Sequence, residues 1–317
     1  MGDGLKSYLK KIFLNPVEQL GKPVSAVETV RSIVQKKPVG DTGVLQPLYT
    51  LRLKPEPEPL VLACQVNANR AQCFTAETSL VWCGLTDTGL VRDHNEDYFS
   101  CMSVGESTLF VVADGMGGHD AGEVASRLAV EIACKVVRDG AQGEYDPQKL
   151  LEKAMQSANT EVIREGESKG SDMGTTLTLA LMKQDKVYIA SVGDSRTYWI
   201  ENGSIRQITE DHSLVAKLVA AGKLTREEAR NHPKSNLLYR TIGSDENVKI
   251  DTFQVDLKRG GSLLLCTDGL WGEVTEEDIH NVCASERDLK SVCSRLIQLA
   301  NENGGKDNIT AVTVRVV

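Results

Sequence analysis

Two apolar runs in this chain break on the same dipeptide. Leu109-Phe110-Val111-Val112-Ala113 meets Asp114-Gly115, followed by Met116-Gly117-Gly118, and Ser262-Leu263-Leu264-Leu265-Cys266-Thr267 meets Asp268-Gly269. A short apolar run cut off by glycine reads as a buried strand ending in a tight turn. Such a turn sets a carboxylate at a strand end, open to approach. The neighbouring glycines let other groups come close to the backbone and leave the Gly115 carbonyl available as a ligand. A third aspartate, Asp307, precedes Asn308 and a last apolar strand from Ile309 to Val316. Three carboxylates at strand edges, far apart in sequence, are suited to converge on one hard cation or two. Each feature alone has a plainer reading. Asp-Gly and Asp-Asn are common turns, and Arg92, Glu96 and Asp97 alone read as a solvated charged loop.

The order of elements narrows the fold. A strand over Val81 to Asp87 is followed by a charged loop, Gly89 to Asp97, and then by the strand that reaches Asp114. Asp120 and Glu123 form a capping-box-like pair opening a helix with Val124, Leu128 and Ile132 on one stripe. Asp146 and Pro147 open a second helix as N-cap and first residue, with Leu150, Ala154, Ala158 and Val162 spaced by four. Strand-like runs cover Thr175 to Met182, Lys186 to Val192 and Thr197 to Ile200. Residues 209–248 read as a helical insertion, in which Thr225 and Glu228 make a capping box and His232-Pro233 closes the helix. Strands return over Lys249–Val255 and Ser262–Thr267. Two further helices start near Thr275 and Ser285, the second carrying Leu289, Val292, Leu296 and Leu299 and stopping at Gly304-Gly305. Strands and helices do not alternate strictly. A doubly wound parallel sheet is therefore disfavoured, and packed antiparallel sheets with helices outside fit better.

Charge and cysteine usage exclude several functions. The chain of 317 residues is 41% apolar, enough for a substantial core, with net charge -8. Residues 1–80 hold ten Lys/Arg and seven Asp/Glu, so the remainder carries all the negative excess. An acidic main domain argues against nucleic acid as a partner. None of the eight cysteines forms a CxxC pair, which disfavours a zinc ribbon, and they read as small buried hydrophobes in a reducing compartment. No apolar run reaches transmembrane length and no signal-peptide core is present, so a cytoplasmic protein is expected. Leu5, Leu9, Ile12 and Phe13 with Lys6, Lys10 and Lys11 form a basic amphipathic stretch that suits packing on its own protein better than contact with a membrane. Pro55-Glu56-Pro57-Glu58-Pro59 is a stiff spacer, and residues 60–80 read as a strand pair or further linker. These features divide the chain into an N-terminal extension, 1–80, and a main domain, 81–317.

The candidate ligands are oxygens without nearby Cys or His, which favours Mg²⁺ or Mn²⁺ over Zn²⁺. Two such ions bridged by one carboxylate would hold a water of lowered pKa, a nucleophile suited to in-line displacement at a phosphoryl group. Arg92, five residues before Asp97, offers a planar fork for the phosphoryl oxygens.

Taken together, Arg92-x-x-Asn95-Glu96-Asp97, Asp114-Gly115-Met116-Gly117-Gly118, Gly174-Thr175-Thr176, Gly193-Asp194-Ser195-Arg196, Asp268-Gly269 and Asp307-Asn308 resemble, in order and spacing, the metal-dependent serine/threonine protein phosphatases of type 2C, the PPM family. The resemblance covers about residues 82–317. Met116 and the insertion with Asp211-His212-Ser213 look like its bacterial branch. It implies an α+β fold, a four-layer αββα sandwich of two antiparallel sheets flanked by helices, with a dimetal site at one edge. By the same resemblance Asp114 bridges two Mn²⁺ or Mg²⁺ ions, Asp268 and Asp307 complete one, and the Gly115 carbonyl belongs to the other. Glu96 and Asp97 match an acidic pair acting directly or through water. Arg92 matches the phosphate-binding arginine and Asp194 a ligand of a third, weaker ion. Residues 209–248 match a flap bordering the site.

The implied activity is hydrolysis of phosphoserine and phosphothreonine on phosphorylated proteins by a metal-bridging hydroxide, opposing a serine/threonine kinase. The rival readings are a weakly catalytic phosphoprotein-binding scaffold, and a phosphatase dedicated to one partner such as an anti-sigma-factor antagonist. Two positions depart from the family pattern. Met116 stands where some members carry a histidine proposed as general acid, with His119 nearby as a candidate. Gly272 stands where many carry an acidic third-metal ligand, with Glu273 next to it as a replacement.

Overall fold

Strand alternation explains why the two Asp-Gly runs are so uniformly apolar. In a computed structural model, which describes residues 61–66, 80–118 and 121–317, Leu109, Val111 and Ala113 face one cluster of core side chains and Phe110 and Val112 face another. Leu264 and Cys266 likewise face a third cluster, while Leu263 and Leu265 share the cluster of Phe110 and Val112. Each run is thus the middle of a sheet buried on both sides, and the shared cluster is the seam between two sheets.

The elements run, in chain order, β1 (Val61–Val66), β2 (Leu80–Asp87), β3 (Asp97–Val104), β4 (Ser107–Gly117), α1 (Ala121–Gly140), α2 (Pro147–Lys169), β5 (Met173–Thr175), β6 (Leu177–Lys183), β7 (Lys186–Val192), β8 (Arg196–Glu201) and β9 (Ser204–Gln207). They continue with α3 (Leu214–Ala220), α4 (Arg226–Arg230), β10 (Asp251–Asp256), β11 (Ser262–Cys266), α5 (Asp268–Trp271), α6 (Glu276–Ser285), α7 (Leu289–Glu302) and β12 (Ile309–Val316). One sheet has the order β1-β2-β12-β11-β8-β9 and the other β10-β7-β6-β4-β3, with β5 paired to β4. All these pairings are antiparallel. Helices α1 and α2 cover the β4 sheet, and α6 and α7 cover the β11 sheet. The expected four-layer αββα sandwich is the fold.

The structure corrects several local expectations. β4 does not stop in a turn at Asp114. It runs on to Gly117, and Gly115, Met116 and Gly117 pair with Thr175, Gly174 and Met173 of β5. The glycine at 115 serves close approach, not a turn: a methyl group there would lie 2.1 Å from the Gly122 carbonyl oxygen and 2.7 Å from that of Glu96. On α1 the fully buried stripe is Ala125, Ala129 and Ala133, with Val124, Leu128 and Ile132 on its flank, because only small side chains let the helix lie close to its neighbours. α7 starts at Leu289, where Asp288 caps the Ser291 N–H, instead of near Ser285. The caps at Asp146 and the capping box of Thr225 and Glu228 stand as expected. The insertion is helical only over α3 and α4. The stretch 5–13, the spacer 55–59, His119 and the Asp120 cap lie outside the described residues.

Candidate active site

Both sheets deliver carboxylates to one end of the sandwich. Asp97 opens β3 and sits directly opposite Asp114 in the β3–β4 ladder. From the other sheet, Asp268 is the first residue of α5 after β11, and Asp307 immediately precedes Asn308 and β12. Asp97 joins the two. Its Oδ2 accepts hydrogen bonds from the hydroxyls of Thr267 (2.7 Å), the residue after β11, and Thr310 (2.6 Å) of β12, both from the side of the opposite sheet. Each such bond contributes roughly 0.5–1.5 kcal/mol while the carboxyl is neutral and roughly 1.5–3 kcal/mol once it is charged.

Backbone contacts hold the remaining pieces. The Asp114 N–H donates to Thr176 Oγ1 (2.9 Å), and the Asp114 carbonyl accepts from the Thr176 N–H and the Thr175 hydroxyl, both at 2.8 Å. The Gly115 N–H donates to the Glu96 carbonyl at 3.0 Å. Asn308 organises the charged loop: its Oδ1 accepts from the Glu96 N–H (2.7 Å), and its Nδ2 donates to the carbonyls of Thr88 and His94. Arg92 lies at the rim, 46% exposed, with Nη2 2.7 Å from Asp307 Oδ2. Asp194 is buried behind the cluster, and its carbonyl accepts from Trp271 Nε1 at 3.0 Å. Trp271 stacks under the Arg196 guanidinium, which is held by Asp211.

The electrostatics are those of crowded acids. Loss of water around Asp114 and the charges of Asp268, Asp97, Asp194 and Asp307 raise its carboxyl well above the usual range. Burial first, and then Asp268 and Asp307, raise Asp97 against the opposing pull of the two threonines. Burial and Asp307 raise Asp268, which lies within hydrogen-bonding reach of Asp114. Burial, Asp268 and Asp211 raise Asp194, and burial raises Glu96. Asp97 Oδ1 and Asp268 Oδ1 are buried without a hydrogen-bond partner. An all-oxygen set with buried, unpartnered carboxylate oxygens fits hard divalent cations. Among the described residues no three acidic, His or Cys side chains close around one point as a finished cage.

Asp97, Asp114, Asp194, Asp268 and Asp307 thus stand in one network of mutual repulsion, and Glu96, raised in part by Asp307, borders it. Glu273 is engaged in an ion pair, its Oε1 3.0 Å from Lys306 Nζ. The roles not read from sequence are those of Thr267, Thr310, Asn308 and Trp271, although Asn308 itself stands in one of the motifs. The hydrogen bonds by which they hold the site span 43 to 224 positions in the chain, beyond the reach of any local pattern.

A helix–sheet–sheet–helix sandwich with acids gathered where the sheets meet is the architecture of a protein phosphatase. Residues 91–312 match the family Protein phosphatase 2C. The chain is 41% identical over 234 residues to the serine/threonine phosphatase stp of Listeria innocua, covering 72% of this chain and 93% of that protein. The crystal structure of the Mycobacterium tuberculosis serine/threonine phosphatase PstP/Ppp superposes with a TM-score of 0.68 at 34% identity, over 74% of this chain and 98% of that one. A structure of the PstP catalytic domain in complex with two manganese ions superposes with a TM-score of 0.68 at 33% identity, over 76% of this chain and 99% of that one. The chain belongs to the protein phosphatase 2C family and is a protein serine/threonine phosphatase. Among the described residues no helix is long and apolar enough to cross a membrane.

Proposed function

We propose that this phosphatase hydrolyses phosphoserine and phosphothreonine on proteins, opposing a serine/threonine kinase, at the edge where Asp114, Gly115, Asp268 and Asp307 gather. The observation that carries the reading is the mutual repulsion of Asp97, Asp114, Asp194 and Asp268 around two buried, unpartnered oxygens. Such an array is stable at neutral pH only with protons or cations in it. Asp114, the Gly115 carbonyl, Asp268 and Asp307 would hold two Mn²⁺ or Mg²⁺ ions, which would supply Lewis acidity and a water of lowered pKa.

The chain's own residues do the rest. Arg92, half-exposed at the rim and charged at any working pH, binds the phosphoryl oxygens with its fork. Asp97 is fixed through one oxygen by Thr267 and Thr310, which aims the other at the cluster. Glu96 is held at the mouth by its backbone bond to Asn308. Met116 brings no proton to the leaving alkoxide, which would take it from a water at the site or from another group such as His119. Asp194 serves a third, weaker ion. Glu273, engaged by Lys306, does not replace the carboxylate missing at Gly272. Residues 81–317 form the catalytic domain, 209–248 its flap and 1–80 an extension.

The test is hydrolysis of a small phosphate ester and a phosphothreonine peptide with Mn²⁺, with Mg²⁺ and with chelator. Metal-dependent turnover that falls at least about a thousandfold, or ~4 kcal/mol, in Asp114→Ala supports the reading. Full activity in chelator, or a stable covalent phosphoenzyme, overturns it. A folded protein without turnover under any metal favours the scaffold.

A further inference from the structure

His212, at the entry of the 209–248 insertion, is fully buried and lies outside the carboxylate cluster. Two hydrogen bonds join residue 212 to Gly193, the residue before Asp194. The His212 N–H donates to the Gly193 carbonyl, and the Gly193 N–H donates to His212 Nδ1, both at 3.0 Å. Gly193 has φ +106°, and a side chain there would strike Thr176 at 2.6 Å. Thr176 in turn bonds the Asp114 N–H and the Ser195 hydroxyl. The 193–195 loop is therefore pressed between His212 and the threonine that holds Asp114.

The other side of the imidazole faces away from the site. With Nδ1 occupied by the Gly193 N–H, the single ring proton sits on Nε2 and goes to Asp251 Oδ2 at 3.0 Å. Arg240, 2.8 Å from Nε2, makes its own bond to Asp251 Oδ1 at 3.0 Å. The returning limb of the insertion closes on the same residue, since the Tyr239 N–H donates to the His212 carbonyl at 2.9 Å. His212 is the point where the insertion's two ends, strand β10 and the Asp194 loop meet.

We propose that His212 is a positioning residue for Asp194: through its Nδ1 bond to the Gly193 N–H it sets the Asp194 carboxylate beside Asp268, and it carries displacements of the insertion to that carboxylate. This rests on the phosphatase reading of the cluster, and it assigns His212 no contact with substrate.

Two near-isosteric variants separate its two hydrogen bonds. His212→Asn keeps an acceptor where Nδ1 stands and loses the reach to Asp251. His212→Gln keeps the reach to Asp251 and loses the acceptor. Mn²⁺ binding is read by titration calorimetry, and kcat and KM on a small phosphate ester are read beside it. His212→Gln is expected to weaken the weakest Mn²⁺ site, or lower kcat, by about 10- to 100-fold, with KM for the ester moved less than about threefold. His212→Asn should keep both within about threefold. Equal losses in the two variants, or a larger loss in His212→Asn, overturn the proposal, as do two variants indistinguishable from wild type. If His212→Gln does not fold, Asp251→Asn carries the test, because it leaves the Gly193 bond in place. Retained Mn²⁺ binding there supports the proposal, and a 10- to 100-fold loss overturns it. A wild-type protein without metal-dependent turnover would instead fail the phosphatase reading itself.

Discussion

Asp97 is the carboxylate whose two oxygens have opposite surroundings, and that asymmetry comes from a relay of hydroxyls. Asn95 Nδ2 donates to Thr86, the Thr86 and Thr310 hydroxyls are 2.8 Å apart, and Thr310 donates to Asp97 Oδ2. Thr310→Val breaks the relay in the middle and leaves a buried acceptor short of a donor. The expected cost is about 1–3 kcal/mol. In a domain of this size that lowers Tm by about 2–4 °C per kcal/mol. Thermal unfolding with and without Mn²⁺ checks it, and a variant melting with wild type would show the relay to be idle. His212 makes a prediction in pH. Burial, then the nearby Arg240 charge, hold its imidazole below its ordinary pKa, against the pull of Asp251. A depressed histidine contributes stability above its unfolded pKa, about 6.5, and loses it as pH falls through the folded value. Wild type should therefore lose Tm relative to His212→Asn between about pH 7.5 and 5.5, the unfolded pKa lying inside that window. A constant difference across that range would mean that His212 does not titrate with folding.

Elements were legible from sequence wherever the reason was local, and illegible where the reason was a distant contact. The Asp146 cap, the Thr225–Glu228 box and the limits of β7 and β12 follow from residues within a few positions of one another. The continuation of β4 past Asp114 does not, because its partner, β5, lies some 60 residues on and has only three residues. The buried alanine stripe of α1 is likewise set by how near α2 and the sheet approach, which no periodicity records. Six carboxylates and Arg92 could be placed by motif, whereas the hydroxyls and the amide that hold them could not. The return of the insertion illustrates this second group. Asn159, buried on α2, accepts from the Gly243 N–H at 2.8 Å and donates to the Asp245 carbonyl at 2.7 Å. Beside it, Ile242 exchanges hydrogen bonds with Thr175, whose hydroxyl holds the Asp114 carbonyl. Asn159→Ala should free this return and cost about 1–3 kcal/mol. Trypsin would then cut within 217–234, where Lys217, Lys223, Arg226 and Lys234 are exposed, several-fold faster than in wild type. An unchanged cleavage rate would place the hold on the insertion elsewhere.

At the scale of the whole molecule, charge and coverage point the same way. Residues 1–80 carry a small positive excess and residues 81–317 a negative one, so the two parts meet water and partners on different terms. The solved PstP/Ppp chain is matched over 98% of its length by 74% of this one. The stp phosphatase of Listeria innocua is matched over 93% of its length by 72% of this one. Chains of that length are matched almost end to end by about three quarters of this one. Among the described residues, the three core clusters are built from residues at or beyond Leu80. A chain beginning at residue 79 is therefore expected to fold. It should hydrolyse a small phosphate ester in Mn²⁺ within about twofold of full length, since no group proposed to act at phosphorus precedes Arg92. What it loses is β1, the strand that covers the β2 edge through the register Val61↔Thr86 to Val66↔Val81. An uncovered edge strand invites pairing with a second copy, so the shortened chain should self-associate more at high concentration, as measured by light scattering. Activity on a phosphorylated whole protein then gives the extension its role. A loss there, with the small ester unaffected, means that residues 1–78 dock the substrate. A rise on both substrates means that they restrain the site, and equal rates on both leave them as a spacer that carries β1.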